Sequence, residues 1–381
     1  MHKRIRMKNP FYINGPIPEP YFCDRQQETA RLVDYVQNQS DVLLTSPRRM
    51  GKTQLIRHFY AQSEIVDKYH TFYVDIYAST SLSEFVMLLS KEIYSCLAPK
   101  GKQMIDLFVR VLKSLYGSFG YDPVTGIPTF DLKLGDISRP ETTLEEIFRF
   151  LEDADKPCII TIDEFQQIGN YPENNVEALL RTHIQKMSNC RFIFAGSDRH
   201  SLENMFNSPA KPFYNSVSHM YLDRINRAVY IDFAARLFNE GGIGIPEALC
   251  GYVYDLFEGH TYYVHQTFHD LFARHQEPTA ELLEDTIDHI LSDREHYYME
   301  QMSMLTLAQK ETLTAVAREG DASRITSAAF IRKHSLQSAS MVQNSVRFLL
   351  EKQILTYRQD KGVKIYSVAD RFLRLWLVKM Y

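Results

Sequence analysis

The sequence predicts an α/β fold: a parallel sheet with helices on both faces, then a helical stretch, then three helices and a β-hairpin. Three observations carry this. Strand-like and helix-like stretches alternate over roughly the first 200 residues, the pattern of parallel strands joined by crossover helices. A Gly-Lys-Thr triplet, Gly51 to Thr53, sits between an apolar run and an amphipathic one. Strand signals cease near Tyr221, and a third composition begins near Leu305.

At 381 residues the chain exceeds one average domain, and length alone predicts two or three. The expected spans are 1–220, 221–303 and 304–381, with an inserted hairpin at about 116–135. A net charge of -4 argues against a general polyanion binder. Cys23, Cys96, Cys158, Cys190 and Cys250 form no C-x-x-C pair, which argues against a zinc ribbon or a disulfide framework and fits a reducing, cytoplasmic setting. No apolar run approaches the ~20 residues that cross a bilayer, so no membrane partner is expected. The start, MHKRIRMKNPFYING, is basic without a signal peptide's apolar core and reads as a loose arm.

The elements follow in order. DVLLTS, from Asp41, is a short apolar strand. The helix after it puts Leu55, Ile56, Phe59 and Tyr60 on one side. TFYVDIYA is β-rich, and SLSEFVMLLSKEIYSCL is helical. The stretch Tyr116–Gly135 carries a turn signal at Asp122–Gly126 between β-type flanks, hence the hairpin. TTLEEIFRFLEDA opens with a Thr143/Glu146 capping-box spacing. CIITIDEF reads as a buried strand, VEALLRTHIQKM as a helix, and CRFIFAGS as another strand. Four amphipathic helices fill 227–298. Helices then follow at 306–320, 326–336 and 338–355, with a hairpin turning at Asp360–Gly362. Three helices and a hairpin make a winged helix-turn-helix pattern. Residues 305–381 hold 13 basic against 6 acidic side chains, a surplus of about seven.

The chemistry concentrates at Ser46–Gln54: Ser46, Pro47, Arg48, Arg49, Met50, Gly51, Lys52, Thr53 and Gln54. A phosphate loop wraps its backbone N–H groups around a phosphate, ahead of the positive end of the next helix. Its lysine reaches the β- and γ-phosphates, and the following hydroxyl binds Mg²⁺. The formula wants glycine where Ser46 stands, but the glycine before lysine is present as Gly51. A small serine fills the first position if its φ stays negative, and Pro47 biases it that way. Downstream, Asp163 and Glu164 close a buried strand at the ligand edge of the sheet. Asp163 is expected to hold Mg²⁺ with Thr53, and Glu164 to activate the attacking water. Ser197 ends the next strand, beside the expected γ-phosphate. Arg199 and Arg181 are candidate cations for that phosphate, Arg181 from a neighbouring copy in a homo-oligomer; a surface salt bridge is the competing reading for both.

These residues resemble the archaeal-type ATPases, P-loop proteins of the wider AAA+/STAND group. The family loop reads G-P-R-R-x-G-K-T, and the chain departs from it at Ser46. YFCDRQQETARL resembles the family's F-x-x-R-x-x-E box through Phe22, Arg25 and Glu28, a box that in relatives lies near the adenine. FEGHTYYVHQTF resembles the lid segment G-H-P-Y-Y-V-Q, with Thr261 for proline and His265 for glutamine. The resemblance implies a P-loop NTPase core, a helical lid and a C-terminal winged helix, with ATP as the nucleotide. The absence of N-K-x-D agrees with ATP over GTP. No arginine stands in GHTYYVH, which favours the STAND-like style, where nucleotide state opens or closes lid and tail. His260 and His265 either approach the nucleotide or pack.

Two readings of the whole follow. In one, ATP binding and slow hydrolysis move the lid and a tail that reads double-stranded DNA. Its second helix would show Ser340, Gln343, Asn344 and Arg347 to the major groove, with Lys361 and Lys364 on phosphates. In the other, the protein is a signalling scaffold, ATP is a structural ligand, and the tail binds a protein partner.

Overall fold

A computed structural model describes residues 8–97, 102–121 and 128–381. The chain divides into two compact units. One spans Pro16–Ile225; the other joins residues up to Gly15 with Asn226–Tyr381.

In the first unit, α1 (Gln26–Gln37) precedes β1 (Val42–Thr45), α2 (Lys52–Tyr60), α3 (Ser63–Val66), β2 (His70–Asp75) and α4 (Leu82–Leu97). Then come α5 (Lys102–Val111), β3 (Phe119–Tyr121), β4 (Pro128–Phe130), α6 (Pro140–Glu152), β5 (Cys158–Asp163), α7 (Val176–Ile184), β6 (Cys190–Gly196), α8 (Arg199–Asn207) and β7 (Ser218–Tyr221). Five strands form a parallel sheet in the order β2-β5-β6-β1-β7. Period-two alternation splits the core. Leu43, Phe72, Val74, Ile160, Ile162, Phe192 and Phe194 pack on one face. Val42, Leu44, Ile159, Ile193, Ala195 and Met220 pack on the other, with Leu55, Ile56 and Phe59 of α2. Strands buried on both faces read as the apolar runs seen in the sequence.

Register aligns the carboxyl ends of four strands, because Thr45 pairs with Gly196 and Asp75 with Asp163. The inserted hairpin is present as antiparallel β3 and β4. The turn expected within it, Asp122–Gly126, lies outside the described residues. The expected capping box is corrected. Proline fits the first helical position, so α6 starts at Pro140, a turn earlier. Thr143 is therefore inside the helix, donating to the Arg139 carbonyl, while Glu146 accepts from Ser114.

The second unit holds α9 (Arg227–Glu240), α10 (Glu247–Leu256), α11 (Thr261–Ala273) and α12 (Ala280–Ser303). The tail follows as α13 (Leu307–Glu319), β8 (Ala322–Ser323), α14 (Ala328–Lys333), α15 (Ala339–Glu351), β9 (Leu355–Asp360), β10 (Val363–Val368) and α16 (Arg371–Met380). β9 and β10 meet through Lys361 (φ 47) and Gly362 (φ 81), the two left-handed residues of a tight hairpin. β8 adds a short third strand to β10. The apolar C-terminal helix α16 docks inside this unit: Phe372 meets Phe257 and Tyr263, and Trp376 meets Tyr298. Glu258 pairs with both Arg371 and Arg374.

The loose arm is also corrected, for the residues from Asn9 to Phe11. Phe11 is fully buried against Phe238, His265, Phe268 and Phe272. Asn9 donates to the His269 carbonyl (2.8 Å), and the His269 ring bonds the Phe11 carbonyl (2.7 Å). An aromatic ring among aromatics outweighs the basic charge of the arm. The basic stretch before Lys8 lies outside the described residues. Among the described residues no helix is long and apolar enough to cross a membrane.

Candidate functional site

The site starts where β1 ends. Ser46 is buried, donates its N–H to the Gly196 carbonyl (3.4 Å), and is not among the positive-φ residues. The left-handed positions of the loop are Arg49 (φ 66) and Gly51 (φ 89). A Cβ on Gly51 would meet no atom within 4 Å, so within the protein its backbone angle, rather than crowding, asks for glycine. Met50 of the loop is buried. Gly51 gives α2 no side-chain cap, so the orphan N–H groups of the first turn are left to the loop side. The Ser46 hydroxyl is buried without a hydrogen-bond partner.

Lys52 is 8% exposed and ion-pairs with Asp163 and, at 3.4 Å, with Glu164. Asp163 Oδ1 also accepts the Glu164 N–H (2.9 Å). The Tyr73 hydroxyl donates to Asp163 Oδ2 and stands 3.3 Å from Thr53 Oγ1. The Thr53 hydroxyl and the Asp163 carboxylate thus address one spot. Burial and the neighbouring Asp163 push the Tyr73 phenol far up, so it stays a neutral donor.

Glu164 has a left-handed backbone (φ 57), a conformation that costs about 1 kcal/mol or more and turns its side chain back over the sheet edge. Its Oε2 accepts from Gln166 Nε2 (2.6 Å), Ser197 Oγ (3.0 Å) and the Ser197 N–H (3.3 Å). Gly196 has no Cβ, and that is what leaves room for Gln166. Burial works against ionisation of Glu164, but Lys52, Gln166 and Ser197 outweigh it and hold the carboxyl below its usual range. Asp75, opposite Asp163, is shifted upward, by burial first and by the repulsion of Asp163 and Glu164.

A cavity of about 310 Å³ opens here, at the carboxyl edge of the sheet. It gathers all of Ser46 through Gln54 with Asp163, Glu164 and Ser197. Asp75 and Tyr77 also line it, and they were missed in the sequence along with Tyr73 and Gln166. A signal existed: Tyr73-Val74-Asp75 ends β2 as Thr161-Ile162-Asp163 ends β5.

Four expected residues lie outside the cavity lining. Phe22 stacks on His58 of α2 (4.1 Å between centroids, 13°). Arg25 is buried, pairs with Glu28 (2.6 Å), and donates to the Asp223 carbonyl (2.6 Å), tying the start of α1 to the segment after β7. Arg199 pairs with Glu203 (2.6 Å) and covers the Tyr221 ring (5.0 Å), the surface salt bridge of the competing reading. Arg181 is corrected in place. α7 connects the carboxyl end of β5 to the amino end of its parallel neighbour β6 and so runs back from the ligand edge, which leaves Arg181 outside the cavity lining. In the other unit, His265 is a packing residue: buried, bonded to the Tyr230 hydroxyl (3.1 Å), and lowered to about 4 by burial and by His269.

The family model described as "ATPase domain predominantly from Archaea" matches residues 22–267. The chain belongs to that family. A second model, for a winged-helix domain, matches residues 296–379. Among solved structures, a Walker-type ATPase of Pyrococcus abyssi shares 16% identity over 97% of this chain and 99% of its own, with a TM-score of 0.67. The ORC2 protein of Aeropyrum pernix, solved as ADPNP-ADP complexes, shares 12% identity over 98% and 97%, with a TM-score of 0.59. At such identities the likeness shows the fold alone: a P-loop α/β sheet followed by a winged helix. No curated protein matches the sequence.

For this archaeal-type ATPase, the donor set fits Mg²⁺. The Thr53 hydroxyl and the Asp163 carboxylate are hard oxygen donors, the kind that suits a cation which keeps waters and phosphate oxygens as its other ligands. Among the described residues no cluster of three or more His, Cys, Asp or Glu makes an all-protein cage.

Proposed function

We propose that this chain binds ATP with Mg²⁺ at the loop from Ser46 to Gln54 and hydrolyses it slowly, as a switch whose state is read by the winged-helix tail. The observation that carries the reading is the convergence of Lys52, Thr53, Asp163, Glu164 and Ser197 on a single cavity lined by the loop. On binding, Lys52 exchanges Asp163 and Glu164 for phosphate oxygens, and the first turn of α2 presents its N–H groups to them. Thr53 and Asp163 would hold the cation, which would supply charge neutralisation at the phosphates. That exchange leaves Glu164 without its main counter-charge and makes it a better base. Glu164 then takes the proton of a water held between it and Ser197.

Double-stranded DNA is the tail partner we favour. Ser340, Gln343, Asn344 and Arg347 are all exposed on α15, while Val342, Ser345, Val346 and Leu349 face inward. Lys361 and Lys364 are exposed on the wing. These groups fit base edges and phosphates.

Steady-state hydrolysis, with and without duplex DNA and across protein concentrations, tests the reading. Turnover that rises with DNA supports it. Flat, near-zero turnover with retained ATP binding would favour the scaffold and a protein partner. Lys52→Ala is expected to abolish ATP binding; unchanged binding would sink the site.

A further inference from the structure

Arg199 is spent on Glu203, and Arg181 does not line the cavity. The cavity nonetheless holds an uncommitted cation. Arg48, the third residue of the loop, lines it. Its Nε–H donates to Ser197 Oγ (3.3 Å), and its guanidinium lies over the Tyr77 ring, 5.7 Å from the centroid. Both neighbours are neutral. Among the described residues no carboxylate pairs with Arg48, and its two Nη groups make no hydrogen bond. The Ser197 hydroxyl passes the chain on to Glu164 Oε2 (3.0 Å), whose other oxygen faces Lys52 (3.4 Å). Around the cavity mouth the order is therefore cation, hydroxyl, carboxylate, cation.

We propose that Arg48 is the cation that takes up charge on the terminal phosphate, an arginine supplied by the binding loop itself, so that no neighbouring copy is needed. The proposal rests on the ATP reading above. In hydrolysis the water oxygen bonds the γ-phosphorus and the water proton goes to Glu164. The bond from phosphorus to the β–γ bridging oxygen breaks, and its electron pair stays on ADP. Negative charge is spread over the equatorial γ-oxygens and the bridge. A planar guanidinium with both Nη groups unspent presents a fork to two of those oxygens at once. The Tyr77 face restrains the fork. Engaging the phosphate draws Arg48 off Ser197, whose hydroxyl is then free for water or for a γ-oxygen. ADP lacks the group that Arg48 addresses, so the residue should discriminate between the two nucleotides.

The test is calorimetric titration of the full chain with MgATP and with MgADP, together with single-turnover hydrolysis, for wild type, Arg48→Ala, Arg48→Lys and Lys52→Ala. Arg48 is exposed, so its variants should melt with the wild type. The expected result for Arg48→Ala is MgADP affinity within about twofold of wild type, MgATP weakened about tenfold, and hydrolysis slowed about 10²-fold or more, with lysine restoring little. Equal weakening of both nucleotides would overturn the proposal and make Arg48 a general phosphate contact. So would hydrolysis unchanged in Arg48→Ala, or a wild-type rate per chain that climbs with protein concentration and is matched by the variant. Wild type that binds neither nucleotide, like Lys52→Ala, would instead bring down the ATP reading itself, and this one with it.

Discussion

Replacing Glu164 by glutamine keeps its shape and removes its charge. The Glu164 carboxylate accepts three hydrogen bonds from Gln166 and Ser197 and faces Lys52 at 3.4 Å. A glutamine has one acceptor oxygen, so its NH₂ must point either at Lys52 or at the donors on Gln166 and Ser197. Hydrogen bonds to charged groups contribute about 1.5–3 kcal/mol each. Lys52 retains Asp163, and Ser197 can rotate, so the net loss is set at about 1–3 kcal/mol. For a unit of roughly 200 residues that is a fall of about 2–12 °C in Tm. Binding of MgATP should hold or strengthen, since Lys52 has one anion fewer to leave. Removing a general base costs about 10²–10⁴ in rate, or about 3–5 kcal/mol of barrier. Phosphate release under single-turnover conditions measures this, with a MgATP titration and a melt beside it. Release within about threefold of wild type, with binding intact, would remove Glu164 from the mechanism.

Three further outcomes are expected. Burial pushes Asp41 up to about 6, against the opposing Phe192 N–H and Arg191, so the folded state holds its proton more tightly than the unfolded chain. That penalty is absent below pH about 4 and complete above about 6; Asp41→Asn should raise Tm relative to wild type at pH 8 and not at pH 4, and an equal gain at both would refute the assignment. Phe11→Ala leaves a hole in an aromatic cluster and should cost about 3–5 kcal/mol in urea unfolding of the helical unit, whereas a loss under about 1 kcal/mol would mean the contact is not held in solution. Arg347→Ala with Lys364→Ala should weaken a duplex-DNA gel shift and flatten its salt dependence by about two contacts' worth; a slope unchanged in the double variant would take α15 and the wing off the DNA.

Where a residue's role is fixed by its place on a strand, the sequence was legible. Asp163 and Glu164 end a run of buried residues, so the carboxylates had to emerge at one edge of a parallel sheet. Gly51-Lys52-Thr53 had to follow a strand and open a helix for the same reason. The hairpin at Asp360–Gly362 was legible because Lys361 and Gly362 accept positive φ. The arginines were not. Arg181 lies on a crossover helix, and how far along such a helix a side chain still reaches the ligand edge is set by packing that no local pattern gives; Arg199 found Glu203 one turn on. Tyr73 and Asp75 were hidden for another reason. Their strand was recognised, but its neighbour was not, and it is the pairing of β2 with β5 that sets Asp75 beside Asp163. Phe11 was illegible because its partners lie more than about 200 positions away, beyond any periodic signal.

That last contact bears on the order of assembly. Asn9 to Phe11 leave the ribosome well before the rings of Phe238, Phe268 and Phe272 that enclose Phe11, which are made only after the whole of the first unit. Domains fold as units while synthesis proceeds. The loop from Ser46 to Gln54 can therefore be built while the second unit is still incomplete. Closure of the second unit waits at both ends: for the arm to return, and for Phe372 to reach Tyr263. A chain arrested before α16 would carry a finished first unit and, in the second, an open aromatic core, the species most exposed to aggregation and to chaperones.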